Sequence, residues 1–150
     1  MLSQKARYAL HALLVLAEDG REGPMMIAEV AKRAGVPRKF LELILLDLKR
    51  HGMVRSLRGR TGGYMLGRAP AHITFAEIIR VTNGPLALAP CVSATAYQRC
   101  ADCRDEKTCA LRAVLLEARN ATAAILESRT LADALAVARR GKKKASRRAA

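Results

Sequence analysis

Apolar residues return every three to four positions along most of the chain. Leu2, Ala6, Ala9, Leu10, Leu13, Leu14 and Ala17 form one stripe, which predicts a helix over residues 2–18 with Ser3 as its N-cap. Residues 19–24 read as a loop. Ile27, Val30 and Ala31 predict a short helix that stops at Gly35, where glycine enters the left-handed conformation freely. Pro37 fits the first turn of the next helix, to about Arg50, with Phe40, Leu41, Ile44, Leu45 and Leu48 facing the core. The pattern then alternates over Met53–Leu57, crosses the turn Arg58-Gly59-Arg60-Thr61-Gly62-Gly63 and resumes at Tyr64-Met65-Leu66, which predicts a hairpin. Two helices joined by a glycine-containing turn and followed by a basic hairpin make a winged helix-turn-helix. Thr74 caps a short helix to Thr82, and Gly84-Pro85 ends it. From Cys109 to about Arg140 the pattern predicts one helix of roughly seven turns, too long to pack wholly on so small a body.

The expected fold is therefore mainly α with a small β-hairpin wing. Residues 1–83 form the DNA-binding domain, 84–109 a cysteine-containing sensor loop and 110–140 a dimerisation helix. Residues 141–150 form a disordered basic tail. The long helix is expected to touch both the first helix and a second copy of the chain.

Charge points the same way. The net charge is +14. Seven of the 27 basic residues lie in the last twelve positions, where none of the 13 acidic ones does, yet the body stays positive without them. Such a chain favours a polyanion, most simply nucleic acid. On the third helix, Arg38 and Lys39 suit guanine or phosphate, Glu42 can accept from cytosine N4, and Leu43 suits either a thymine methyl or the core. On the wing, Arg55, Arg58 and Arg60, with Arg68 just beyond, suit phosphate or the minor groove. No run reaches the ~20 apolar residues of a membrane span. With no secretory leader read at its start, the chain is expected in the cytoplasm, with no membrane partner.

The four cysteines are spaced Cys91-x8-Cys100-x2-Cys103-x5-Cys109. In a reducing compartment such a group is a metal site or a redox thiol set before it is a structural disulfide. Structural zinc normally takes two close pairs, and Cys100/Cys103 is the only close pair here. An iron–sulfur cluster, zinc on fewer ligands, and a cofactor-free thiol switch all stay open. An enzyme is disfavoured. His11, His51 and His72 lack catalytic context, no carboxylate pair stands out, and the wing glycines lack the strand–loop–helix setting of a phosphate loop. Control by a protein partner is a further alternative, which the four cysteines argue against.

The chain resembles the Rrf-two family of bacterial transcription regulators over nearly its whole length. The resemblance rests on Tyr8-Ala9-Leu10, Phe40-Leu41-Glu42, the wing Leu57–Leu66, the helix Thr74–Thr82 and the cysteines. It implies a homodimer on a palindromic operator of double-stranded DNA, and it adds Phe40 and Thr61 to the DNA-binding set. It implies an iron–sulfur cluster, two-iron or four-iron, on Cys91, Cys103 and Cys109. The family's histidine ligand three residues after the last cysteine is replaced by Arg112, which leaves Cys100, His11 of a partner subunit, or no residue at all as fourth ligand. Pro37, Lys39 and Leu43 depart from the family's recognition helix, so a different operator is expected.

Overall fold

The computed structural model describes residues 2–18 and 23–149, with the backbone alone for 142–149. Residues 19–22 of the expected loop lie outside the described residues. Six helices and one hairpin follow in order: α1 (Gln4–Glu18), α2 (Ile27–Ala34), α3 (Arg38–Arg50), β1 (Val54–Leu57), β2 (Gly63–Leu66), α4 (Phe75–Asn83), α5 (Ala110–Ser128) and α6 (Leu131–Ala149). Short 3-10 turns cover Pro70–His72 and Pro90–Val92. Among the described residues no helix is long and apolar enough to cross a membrane.

The core forms around α1. Ala6, Ala9, Ala12 and Leu13 are fully buried, and α2, α3, α4 and α6 all pack on this helix. Ser3 caps it, accepting from the Ala6 N–H at 3.1 Å. Gly35 ends α2 at φ 65°, and its N–H and that of Val36 satisfy carbonyls of the last turn. Pro37 stands one place outside α3, as its N-cap. Leu41, Ile44, Leu45 and Leu48 face inward, as their spacing predicts.

Phe40 departs from that expectation. It is 47% exposed, its ring lies 6.3 Å from that of Tyr8, and the Lys39 ammonium stands 5.0 Å from its centre. The inward arc of α3 is filled by the four aliphatic residues, and Phe40 lies beyond its edge, toward α1.

The hairpin pairs Val54 with Leu66 and Leu57 with Gly63, antiparallel. A Cβ on Gly63 would meet the Met25 carbonyl oxygen at 2.3 Å, so only glycine lets β2 bond to Met25 on its other edge. Lys49 Nζ donates to Ser56 Oγ at 2.7 Å and ties the end of α3 to the wing.

The expected single helix over 110–140 is instead two. α5 stops at Ser128, Arg129 is extended, and α6 begins at Leu131. Thr130 and Asp133 form a capping box: the Thr130 N–H and hydroxyl donate to the Asp133 carboxylate at 2.9 and 2.7 Å, and the Asp133 N–H donates to Thr130 Oγ1 at 3.3 Å. The broken helix also pairs with the chain before α4. Phe75 N–H donates to Arg129 O at 2.9 Å, and Leu131 N–H to Ile73 O at 3.0 Å. These bonds replace helical ones given up at the break, and Leu131 becomes fully buried, worth roughly 1.5–3 kcal/mol. The backbone of α6 is helical up to Ala149, through the stretch expected as a disordered tail; the side chains of 142–150 lie outside the described residues.

Arg68 also belongs to the fold rather than to the wing. Its guanidinium donates to His72 O at 3.1 Å and to Glu77 Oε1 at 3.2 Å. Glu77 in turn completes the capping box of α4 with Thr74. Partial burial pushes the Glu77 carboxyl up, but hydrogen bonds from Thr74 and the Arg68 charge outweigh it, so its pKa is lowered. A lowered folded value stabilises above the unfolded one and is lost as pH falls through the folded value. Thr74→Ala should cost about 1 kcal/mol in urea unfolding. The extra stability of wild type over Glu77→Gln should be full above about pH 4.3, decline as pH falls below it and be gone once pH has passed the lowered folded value, which unfolding curves at stepped pH will check.

Candidate nucleic-acid interface and cysteine site

α3 turns its aliphatic arc to the core, and the opposite arc carries Lys39, Leu43, Leu46 and Arg50, all exposed. Leu43 is 65% exposed, which decides its reading: it is a surface residue, not core. Leu46, 43% exposed beside it, belongs to the same surface, although the sequence pattern assigned it no role. Arg38 and Glu42 lie on the flank of this arc and pair with each other, Arg38 Nε to Glu42 Oε1 at 3.1 Å. Such an exposed pair is worth no more than about 1 kcal/mol, so either partner can be drawn to another ligand at small cost. Phe40 and Tyr8 border a groove of about 850 Å³ between α1 and α3, with Leu43 and Leu46 on its α3 side.

Arg58, Arg60 and Thr61 are exposed at the wing tip, and Arg55 is exposed on β1. Gly59, at φ 109°, takes the turn there. The structure therefore leaves Arg55, Arg58 and Arg60 on the wing surface and removes Arg68 from that group.

All four cysteines line one cavity of about 450 Å³ at the start of α5. Cys91 lies in the 3-10 turn Pro90–Val92 and is only 6% exposed; the other three are half-buried. Burial, and then a hydrogen bond with Cys100, push the Cys91 thiol up from its ordinary range. Cys100 thus stands beside Cys91, nine positions away in the chain. Cys103 follows a turn in which its N–H donates to Cys100 O at 3.1 Å. Cys109 is the N-cap of α5, and its sulfur accepts from the Arg112 N–H at 3.4 Å.

The loop between is braced by its own side chains. Tyr97 donates to Glu106, Arg99 to Cys103 O and Arg104 O, and Thr108 to Asp105. Its outer end is fixed to α5 by Arg119 Nε donating to Val92 O at 3.0 Å.

The donor set is soft and thiol-rich, which fits zinc, copper(I) or an iron–sulfur cluster. A second feature fits an anionic sulfur-containing group. Arg112 lines the same cavity, and its Nε is, among the described residues, the one buried side-chain nitrogen or oxygen without a hydrogen-bond partner. Leaving such a donor unpaired costs about 1–3 kcal/mol. Among the described residues no three Cys, His, Asp or Glu side chains are drawn together closely enough to hold a metal ion. The thiols share a cavity without forming a closed cage. His11 is exposed on α1 and does not line this cavity, nor do His51 and His72.

The family model described as Rrf2, iron-dependent transcriptional regulator, matches residues 2–137. An rrf2-like HTH-type transcriptional regulator of Rhodobacter capsulatus is 47% identical over 139 residues, 91% of this chain and 93% of that protein. The structure of CymR, the global cysteine regulator of B. subtilis, superposes with a TM-score of 0.75 at 31% identity, covering 91% of this chain and 97% of that one. The T. potens IscR structure gives a TM-score of 0.72 at 30% identity, covering 92% and 88%. These are transcription regulators and not enzymes, and the helices and hairpin described above follow theirs. The chain belongs to the Rrf2 family of winged helix-turn-helix transcription regulators.

Proposed function

We propose that the chain is a homodimeric DNA-binding repressor whose affinity for a palindromic operator is set by an iron–sulfur cluster on the 91–109 cysteines. The observation that carries the DNA reading is the outward arc of α3. Lys39 and Arg50 bracket Leu43 and Leu46, with Arg38 and Glu42 alongside and the wing-tip arginines beyond. Cations at both ends suit phosphates flanking a major groove, while Glu42 and the leucines offer an acceptor for cytosine N4 and apolar contact for thymine methyls. Phe40 holds the Lys39 stem, and Thr61 adds a hydroxyl at the wing tip. Occupancy of the operator would exclude other proteins from it.

The dimer reading rests on α5. Of its nineteen residues only Ala123 is buried. Leu111, Val114, Ala118, Ala121 and Ile125 follow at alternating spacings of three and four, the seam of a coiled coil. Leu111, Val114 and Ile125 are exposed, apolar and unpartnered within the chain. Against a second copy, run antiparallel, the large ends would meet each other around the small central alanines.

Cys91, Cys103 and Cys109 would hold the cluster, with Cys100 as the fourth thiol. When bound, the cluster supplies a redox centre whose potential follows hydrogen bonding and exposure. What this chain does with it is positional. Cys91 is next to Val92, which Arg119 of α5 grips, and Cys109 caps α5 itself. A change at the cysteines therefore acts on the dimerising helix, and through the Arg80–Glu127 pair on α4 and the DNA-binding body. A cluster-free thiol switch is a second reading, supported by the Cys91–Cys100 contact.

Glu42→Ala should relax preference at one base pair of each half-site by about 1–3 kcal/mol, read by competition among operator variants; unchanged preference removes Glu42 from the reading set. Val114→Asp should raise the dimer dissociation constant on the order of tenfold or more, about 1.4 kcal/mol, in sedimentation equilibrium. A dimer indifferent to it would place the interface elsewhere. Protein purified without oxygen should be brown and contain iron and sulfide. A colourless chain that also resists reconstitution would favour the thiol switch and leave the DNA reading intact.

A further inference from the structure

Arg112 raises a question that the ligand set does not answer. It stands in the first turn of α5, three residues after Cys109, whose sulfur accepts from the Arg112 backbone N–H. Its side chain borders the cavity that holds all four thiols, and Nε is buried with nothing to donate to. Native structures seldom leave a buried donor orphaned, and a missing ligand is one common reason. Arginine stays protonated and offers only donors, so Arg112 cannot bind iron itself. What it can do is donate to an anionic acceptor in the cavity.

Two kinds of acceptor would satisfy it. A free oxyanion such as phosphate would need a net positive surrounding, but Asp102 and Asp105 line the cavity beside Arg104 and Arg112 and offset their charge. A group bonded to the thiols is held regardless of those carboxylates, and its sulfur atoms are acceptors. We infer that Arg112 is an outer positioning residue for the cysteine-bound group, its Nε–H donating to a sulfide or thiolate sulfur of an iron–sulfur cluster. This assignment rests on the cluster reading given above. It gives the cluster a guanidinium as charge partner, in place of a ligating side chain, and predicts that Arg112 makes the reduced, more negative cluster easier to form.

The test uses the full chain, reconstituted without oxygen with iron and sulfide, as wild type, R112Q and R112K. Iron and sulfide content, the midpoint potential and the Fe–S stretching bands in H2O and D2O are read in each. R112Q is expected to keep wild-type iron and sulfide, to lower the potential and to lose part of the deuterium-sensitive shift; R112K, which keeps the charge but not Nε, is expected between the two. A loaded R112Q with wild-type potential and wild-type deuterium response overturns the assignment and leaves the cluster reading standing. If R112Q takes up no cluster, R112K decides: a lowered potential supports the assignment and an unchanged one overturns it. A wild-type chain that takes up no iron or sulfide overturns the cluster reading and the assignment together.

Discussion

The alanine seam of α1 is the constraint from which the rest follows. Ala6, Ala9 and Ala12 have no exposed surface, and four other helices pack on the helix that carries them. Small side chains let neighbouring backbones approach the short end of the usual 8–10 Å range of helix separations. A larger residue at any of the three would push several helices apart at once, and close-packed interiors have little room to absorb that. The pose of α3 is thus set by a helix lying behind it. Lys5 and Asp47 add a polar tie between the same two helices at 2.6 Å, and the Lys5 hydrogen bond is the main reason the Asp47 carboxyl is held below its usual range.

Much of this was legible in the chain. Gly35, the aliphatic arc of α3 and the glycines of the wing are local signals, and each is used locally: a left-handed cap, a buried face, a turn. The Thr74 cap was readable for the same reason. What escaped depended on partners far along the sequence. The Thr130-x-x-Asp133 capping box was in plain view, but the Leu/Ala spacing continues across it. Only the bonds to Ile73 and Phe75 make the break favourable. Arg68 looked like a wing cation because its acceptor, Glu77, lies nine residues on in a helix. Phe40 misleads in the same way, since periodicity marks an apolar residue as inward unless the helix's neighbours are known.

The cysteine site was legible in content but not in arrangement. Spacing alone set Cys100 with Cys103, the close pair. The fold keeps those two in one turn and also sets Cys100 beside Cys91, because the segment doubles back: Gln98 N–H donates to Pro90 O at 3.2 Å and closes the loop there. Arg112 carried no signal as a sequence letter beyond not being a ligand. The role proposed for it rests on an unpaired buried atom, which no reading of residue types can supply.

The break at Thr130 gives the cysteine segment its mechanical leverage. A single unbroken helix would be free of the DNA-binding body at both ends of any dimer seam. As it is, α5 is anchored at its C-terminal end, where Arg129 O and the Leu131 N–H bond to the chain entering α4, and Leu131 sinks into the core. Its N-terminal end rests on Cys109 and the loop. Nineteen residues at 1.5 Å each separate the two ends by about 28 Å. In the proposed switch, a displacement at the cysteines would swing α5 about this anchor on the body that carries α3. In the proposed antiparallel dimer each seam would turn with it, and the spacing between two recognition helices must match a helical repeat of about 34–36 Å to bind both half-sites. On that proposal, a small rearrangement of thiols at one end of the lever would be expressed where the tolerance for error is least.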